Sequence, residues 1–177
     1  LTWPDNERWE ILDGTPCMLT APSWQHQDIA RELLLQIGNY LSDKTCRVYS
    51  SPFDLRLGLS QEEKDEDVIN VYQPDITVIC DPSRLKGSGY FGTPSLVIEI
   101  SSPSTGKHDK IIKFNTYEKA GVPEYWIVEP ESRTVMVFTL QADKRYGRPQ
   151  MFSEDDTVTL TIFPDLIIDL RQVFKGV

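Results

Sequence analysis

Apolar residues in the first quarter of the chain recur every three or four positions, the period of an α-helix. They predict an amphipathic helix of about five turns with one face turned toward a core. Ser23 precedes the apolar stripe and has the side chain of a good N-cap. The stripe comprises Ile29, Leu33, Ile37 and Tyr40.

The rest of the chain alternates between strand-like runs and one further helix. Strands are predicted at 9–19 (two short ones around Asp13-Gly14), 48–57, 71–80, 96–100, 124–128 and 134–138. The second helix is predicted from about Lys107 to Ala120, with Gly121 as its C-cap. A loop is expected over 81–94, and one or two edge strands over 157–174. This order predicts a single α/β domain, residues 1–177, with a central mixed β-sheet flanked by helices and an N-terminal β-hairpin.

Composition places the chain among soluble globular proteins. Of 177 residues, 40% are hydrophobic and 25% are charged. No stretch approaches the roughly 20 apolar residues of a membrane span, and the first residues do not resemble a signal peptide. Three cysteines without a C-x-x-C pair predict reduced thiols in a cytoplasmic protein. The two histidines argue against a structural zinc site.

The formal net charge of −9 weighs against nucleic-acid binding by general electrostatics. Five acids and one lysine are concentrated in residues 62–67, which we expect to form a solvated loop. Any contact with nucleic acid must therefore come from a local site.

Two carboxylates occupy unusual places in apolar strands. Asp75 stands at the entrance of one strand, and Glu99 lies near the exit of another, between Ile98 and Ile100. If the two strands are antiparallel neighbours, the carboxylates lie close together. A buried carboxylate needs a cation partner, which a Mg²⁺ ion held by both acids, water and phosphate would supply. The alternative is a structural ion pair with a nearby basic side chain.

The second helix carries several lysines. Lys110, Lys113 and Tyr117 follow an i, i+3, i+7 spacing and share one helical face. Lys113 has apolar neighbours on both sides and is the lysine that we expect to reach inward. There it could orient or activate a water and stabilise charge growing on a phosphate. The alternative is an ordinary solvated face of an amphipathic helix.

Together these residues resemble the PD-(D/E)XK nuclease superfamily. Residues 73–75, Gln-Pro-Asp, match its Pro-Asp element, and residues 99–101, Glu-Ile-Ser, match its E-x-x element. The sequence is most similar to a bacterial branch of this superfamily, the Uma family of restriction-endonuclease-like proteins. The similarity covers nearly the whole chain, at 9–14, 73–75, 97–104, 109–117 and 120–126.

The resemblance implies a restriction-endonuclease-like core and an endonuclease that uses Mg²⁺ (or Mn²⁺) to hydrolyse phosphodiester bonds of DNA. It implies Asp75 and Glu99 as metal ligands and catalytic residues. The superfamily usually has lysine two positions after the glutamate, where this chain has Ser101. Lys113 is the first candidate to replace it and Lys107 the second. The alternative is a catalytically inactive nuclease-fold module acting in binding or assembly.

Further residues are expected to support this site. His26 lies on the inward face of the first helix and matches the Ser-x-x-His pattern of the family, although an inward histidine can also be a core residue. Glu10 is a further acid near the expected cleft. Ile100 and Tyr117 flank the proposed metal and lysine positions.

We predict a homodimer, because two sites related by a two-fold axis are the simplest way to cut both strands of a duplex. Sedimentation equilibrium should give the mass of two chains. A mass near that of one chain, 20.3 kDa, would refute the prediction.

Overall fold

The structure is a computed structural model that describes residues 7–57, 68–101 and 107–177, except for the side chains of 107–110. The acidic run at 62–67, predicted as a solvated loop, lies outside the described residues.

Short strands dominate the fold, and three helices lie among them in the described part of the chain. The strands are β1 (Trp9–Leu12), β2 (Thr15–Met18), β3 (Arg47–Ser50), β4 (Asp54–Arg56), β5 (Val71–Tyr72), β6 (Ile76–Ile79), β7 (Leu85–Lys86), β8 (Gly89–Phe91), β9 (Leu96–Ile100), β10 (Glu124–Glu129), β11 (Thr134–Thr139), β12 (Gln150–Ser153), β13 (Thr157–Leu160) and β14 (Phe163–Asp169). The helices are α1 (Trp24–Leu41), α2 (Lys107–Ala120) and α3 (Leu170–Val173).

Within the described residues the strands form two larger sheets and one separate pair. The central sheet has the order β12-β11-β10-β9-β6-β3, and only its β9–β10 pair is parallel. The N-terminal sheet has the order β2-β1-β5-β4-β8-β7, with a parallel β4–β8 pair. Strands β13 and β14 pair with each other. The predicted mixed sheet and N-terminal hairpin are confirmed.

The central sheet buries both of its faces. One face packs against α1, α3 and the β13–β14 pair through a cluster that includes Ile29, Leu33 and Trp126. The opposite face packs against α2 and the N-terminal sheet through a second cluster, which includes Tyr117 and Tyr125. Functional side chains on this second face therefore lie between two sheets.

Both predicted helices are present with their predicted caps. The Ser23 side chain accepts a hydrogen bond from the backbone N–H of His26 at 3.3 Å, as expected for an N-cap. Ile29, Leu33 and Ile37 are fully buried, which confirms the apolar stripe. Helix α2 ends at Gly121, whose φ of +77° is the left-handed conformation that glycine adopts most easily.

Four predicted segments differ from the structure. Residues 71–80 divide into β5 of the N-terminal sheet and β6 of the central sheet. Residues 81–94, predicted as a loop, contain a 3₁₀ turn (Pro82–Arg84) and the β7–β8 hairpin. Residues 48–57, predicted as one strand, belong to two strands in different sheets, because Pro52 has no N–H to continue the ladder. Residues 157–174 contain the two predicted strands, which pair with each other as a separate sheet, and also the helix α3, which was not predicted; both β14 and α3 pack on α1.

The prediction of reduced thiols is also wrong, because Cys46 and Cys80 form a disulfide. They are 34 residues apart in sequence, but β3 and β6 are antiparallel neighbours in which Arg47 pairs with Ile79. The next pair outward is Cys46 with Cys80, so strand register brings the sulfurs together. Cys17 is free. Among the described residues, no helix is long and apolar enough to cross a bilayer.

Reduction of this disulfide should lower the free energy of unfolding by about 3–4 kcal/mol, the chain-entropy value for a loop of this length. Urea unfolding with and without reductant measures this loss of free energy. The control variant Cys17→Ser should lose nearly the same amount on reduction. Thiol titration of the unfolded, unreduced protein should find one of the three cysteines reactive. Three reactive thiols would contradict the pairing.

Candidate active site

Strand register brings Asp75 and Glu99 to the same end of the central sheet. Strands β6 and β9 are antiparallel, with Ile76 opposite Ile98, so one further step outward places Asp75 opposite Glu99. The backbone N–H of Ile100 donates to Oδ2 of Asp75 at 2.7 Å. The predicted antiparallel arrangement is therefore present, and Asp75 is tied directly to the strand that carries Glu99.

Helix α2 supplies the partners of Glu99. Nζ of Lys113 lies 3.1 Å from Oε1 and 3.2 Å from Oε2 of Glu99. The hydroxyl of Tyr117, one helical turn further on, donates to Oε1 at 2.7 Å. The side chains of Glu99 and Lys113 are only 14% and 15% exposed. The inward orientation predicted for Lys113 is thus observed, together with contacts for Tyr117.

Glu10 brings a third carboxylate to the same lysine from the N-terminal sheet. Its Oε1 accepts from Nζ of Lys113 at 3.0 Å and from the backbone N–H of Gln73 at 2.8 Å. Glu10 is 2% exposed and shares the inward face of β1 with buried Leu12. The sequence suggested Glu10 only as a nearby acid. Its place on the buried face of an alternating strand was the available sign of a closer role.

His26 lies beside Asp75. Its Nε2 is 3.1 Å from Oδ2 of Asp75, and its side chain is 12% exposed. Its Nδ1 is buried and makes no hydrogen bond within the described residues. The histidine therefore reaches the carboxylate pair from the first turn of α1, on the inward face that the sequence predicted.

Burial and neighbouring charges shift the pKa values of this cluster. Burial raises the pKa of Glu99 to about 7, and the Asp75 and Glu10 charges add to this rise, whereas Lys113 and Tyr117 oppose it. Burial alone would lower the pKa of Lys113, but Glu99 and Glu10 outweigh it and hold that pKa above its ordinary value. Burial also raises the pKa of Tyr117 well above its ordinary value. Lys113 is therefore a cation and Tyr117 a neutral donor at neutral pH.

A polar network behind the Pro-Asp element was not predicted from the sequence. Oε1 of Gln73 accepts from Nε of Arg8 at 3.2 Å, and its Nε2 donates to Oδ1 of Asp54 at 3.1 Å. Asp54 also accepts from Ser88 at 2.7 Å, and Arg8 donates to Ser51. These contacts join distant segments, so no local pattern could have revealed them. They fix the backbone two residues before Asp75.

The two strand carboxylates fit a metal ion only of a particular kind. Within the described residues, no group of three or more His, Cys, Asp or Glu side chains is arranged to hold a metal. Mg²⁺, however, commonly binds one or two carboxylates and takes its other oxygens from water and phosphate. Asp75 and Glu99 offer hard oxygen donors at one sheet end, which suits such a shared site. The residues therefore fit Mg²⁺ or Mn²⁺ bound together with a substrate phosphate.

The two candidate lysines differ in what the structure describes. Lys113 contacts Glu99, whereas Lys107 begins α2 and its side chain lies outside the described part of the chain. A role for Lys107 stays a prediction. Asp13 makes the β1–β2 turn with a φ of +47°, as expected, and does not belong to the Glu10–Lys113–Glu99 cluster.

A mixed α/β fold with two carboxylates and a lysine at the end of antiparallel strands is typical of restriction-endonuclease-like proteins. A family model described as "Putative restriction endonuclease" (Uma2) matches residues 1–171. The chain belongs to this family, and the resemblance noted in its sequence is confirmed.

Two further proteins are similar to this chain. A crystal structure of a "putative nuclease belonging to DUF820" from Anabaena variabilis superposes with a TM-score of 0.75 at 20% identity, covering 94% of this chain and 89% of that one. This similarity shows that the fold is shared. An uncharacterized protein of Synechocystis sp. (slr1290) is 29% identical over 119 residues. That match covers 66% of this chain and 58% of the relative, less than two-thirds of its length.

The raised pKa of Glu99 predicts a specific pH dependence of stability. Between about pH 4.5 and about pH 7 the folded state holds a proton on Glu99 that the unfolded state releases, so this stabilising contribution is lost as the pH rises. From about pH 5 to about pH 8 the parent should lose roughly 1–3 kcal/mol more than Glu99→Gln. Urea unfolding in a metal chelator measures both profiles. The exposed control Glu131→Gln should follow the parent, and superimposable parent and Glu99→Gln profiles would contradict the prediction.

Proposed function

We propose that this protein is a Mg²⁺-dependent endonuclease that hydrolyses phosphodiester bonds in DNA. The observation that carries the proposal is the meeting of Asp75, Glu99 and Lys113 at one end of the central sheet, with Lys113 Nζ 3.1 Å from Glu99. Membership in a family described as "Putative restriction endonuclease" supports the nuclease class and the choice of DNA.

In this proposal the two strand carboxylates hold the metal, and the surrounding groups orient them. The Ile100 amide and His26 fix Oδ2 of Asp75, while the Tyr117 hydroxyl fixes Oε1 of Glu99. When bound, Mg²⁺ polarises a phosphoryl oxygen and lowers the pKa of a bound water.

Lys113 would act as a cation and not as a general base. Its two carboxylate neighbours raise its pKa, so it holds its proton at neutral pH. A protonated lysine can donate to the attacking water or to a phosphate oxygen, and it stabilises negative charge that develops in the transition state. Stabilising that charge is the role that we assign to it.

The net charge of −9 limits how DNA could approach. An acidic protein has no general electrostatic attraction to the phosphates of DNA, so DNA binding must rely on local contacts near the site. The expected homodimer and cytoplasmic location stay predictions.

The alternative function is a catalytically inactive module that uses the nuclease fold for binding or assembly. One observation favours this alternative function. Lys113 already neutralises the Glu99 carboxylate, as a partner in a purely structural ion pair would. Binding of a divalent metal separates the two functions, because a structural pair has no need of one.

We expect the purified protein to bind Mg²⁺ or Mn²⁺ in calorimetry and to nick supercoiled plasmid only when metal is present. Asp75→Ala removes a proposed ligand and should reduce both metal binding and nicking, with a fall in rate of at least about 100-fold. Glu99→Gln should behave in the same way.

Asp13→Asn is the matched control, because it neutralises an exposed acid outside the cluster and asparagine tolerates the left-handed turn. It should nick at the parent rate. Absence of metal binding by the parent would refute the proposal. Nicking by Asp75→Ala at the parent rate would show that the activity belongs to a contaminant.

A further inference from the structure

Two carboxylates from different sheets, Glu10 buried and Glu99 largely buried, share the ammonium group of Lys113. Glu99 belongs to β9 of the central sheet, and Glu10 belongs to β1 of the N-terminal sheet. Nζ of Lys113 lies 3.0 Å from Glu10 and 3.1 Å from Glu99. The proposed catalytic lysine therefore has two alternative anionic partners.

This arrangement creates a competition at Glu99. In the structure Lys113 contacts both oxygens of Glu99, which are also the oxygens that a metal would need. A divalent cation and an ammonium group on the same buried carboxylate repel each other strongly. Metal binding therefore requires Lys113 to withdraw from Glu99 at least in part.

Glu10 allows that withdrawal without leaving a buried cation unpaired. It is held in place by the backbone N–H of Gln73, which donates to the same Oε1 at 2.8 Å, and by its position on the inward face of β1. A buried ion that loses its only partner is strongly destabilised. With Glu10 present, Lys113 keeps one carboxylate partner when the other binds metal.

We propose that Glu10 is a positioning residue that retains Lys113 when a divalent cation takes Glu99, and that Lys113 is an internal cation competing for the metal site. This inference rests on the proposed metal-dependent function. Glu10 acts on the metal only through Lys113 and is not itself a ligand.

A double-mutant cycle in Mn²⁺ affinity tests the inference without any substrate. Affinities are measured by calorimetry and by the electron paramagnetic resonance signal of free Mn²⁺, for the parent, Glu10→Gln, Lys113→Met and the double variant. Glutamine keeps the volume of Glu10 and an oxygen that accepts from the backbone N–H of Gln73. Methionine keeps much of the length of the lysine side chain.

Glu10→Gln should weaken Mn²⁺ binding by about tenfold, because Lys113 then depends on Glu99 alone. Lys113→Met should tighten binding by about tenfold, because the competing cation is gone. In the Lys113→Met background, Glu10→Gln should change the affinity by less than about twofold, since Glu10 has no lysine to retain.

If Glu10→Gln weakens Mn²⁺ binding equally in both backgrounds, the inference is overturned. Glu10 would then act on the metal directly, as a ligand or through its charge. Unchanged affinity of the single Glu10→Gln variant would also overturn it. Thermal unfolding checks that each variant is folded. If Glu10→Gln does not fold, Glu10→Asp replaces it. It keeps the charge but shortens the reach to Lys113, and it should also weaken Mn²⁺ binding in the parent background only.

The outcomes separate this inference from the proposed function. A parent that binds Mn²⁺ and nicks DNA, with no coupling in the cycle, retains the function and loses the role of Glu10. A parent that binds no Mn²⁺ overturns both.

Discussion

The structure depends on how one largely buried carboxylate is neutralised. Glu99 belongs to an apolar strand of the central sheet, and its side chain faces the N-terminal sheet. An uncompensated charge there would cost several kcal/mol. Lys113 supplies the opposite charge, and it also contacts Glu10. Three elements are thereby joined at one point: the central sheet, the N-terminal sheet and α2. The same point is the candidate active site, so the interaction that holds these layers together is also the one that chemistry would have to rearrange.

Strand register is the second constraint, because it decides which side chains meet. The β6–β9 pairing sets Asp75 opposite Glu99, and a slip of one residue would turn Glu99 to the other face of the sheet. The β3–β6 pairing sets Cys46 opposite Cys80 at the other end of β6. Strand β6 therefore has the candidate active site at one end and a covalent link at the other, and both restrain its position.

Much of the fold could be predicted from local pattern. The α1 stripe, its Ser23 cap and the Gly121 end of α2 were predicted correctly, because periodicity and caps are properties of neighbouring residues. The β7–β8 hairpin was missed because its strands are two and three residues long, and because the pairing of β8 with the distant strand β4 stabilises it. The two strands over 157–174 were predicted, but not that they pair with each other, because alternation reveals a strand but not the sheet to which it belongs.

For the site, the sequence alone determined that two acids lie in apolar strands, that a lysine follows on a helix, and that these residues match a nuclease family. A carboxylate among isoleucines is visible in a sequence because burial makes it exceptional. Only the tertiary structure decided that Lys113 neutralises Glu99, that Glu10 shares this lysine, and that the distant cysteines pair. The physical reason is that these contacts join residues separated by 14, 103 and 34 positions. Such contacts follow from strand order and register, which no local pattern encodes.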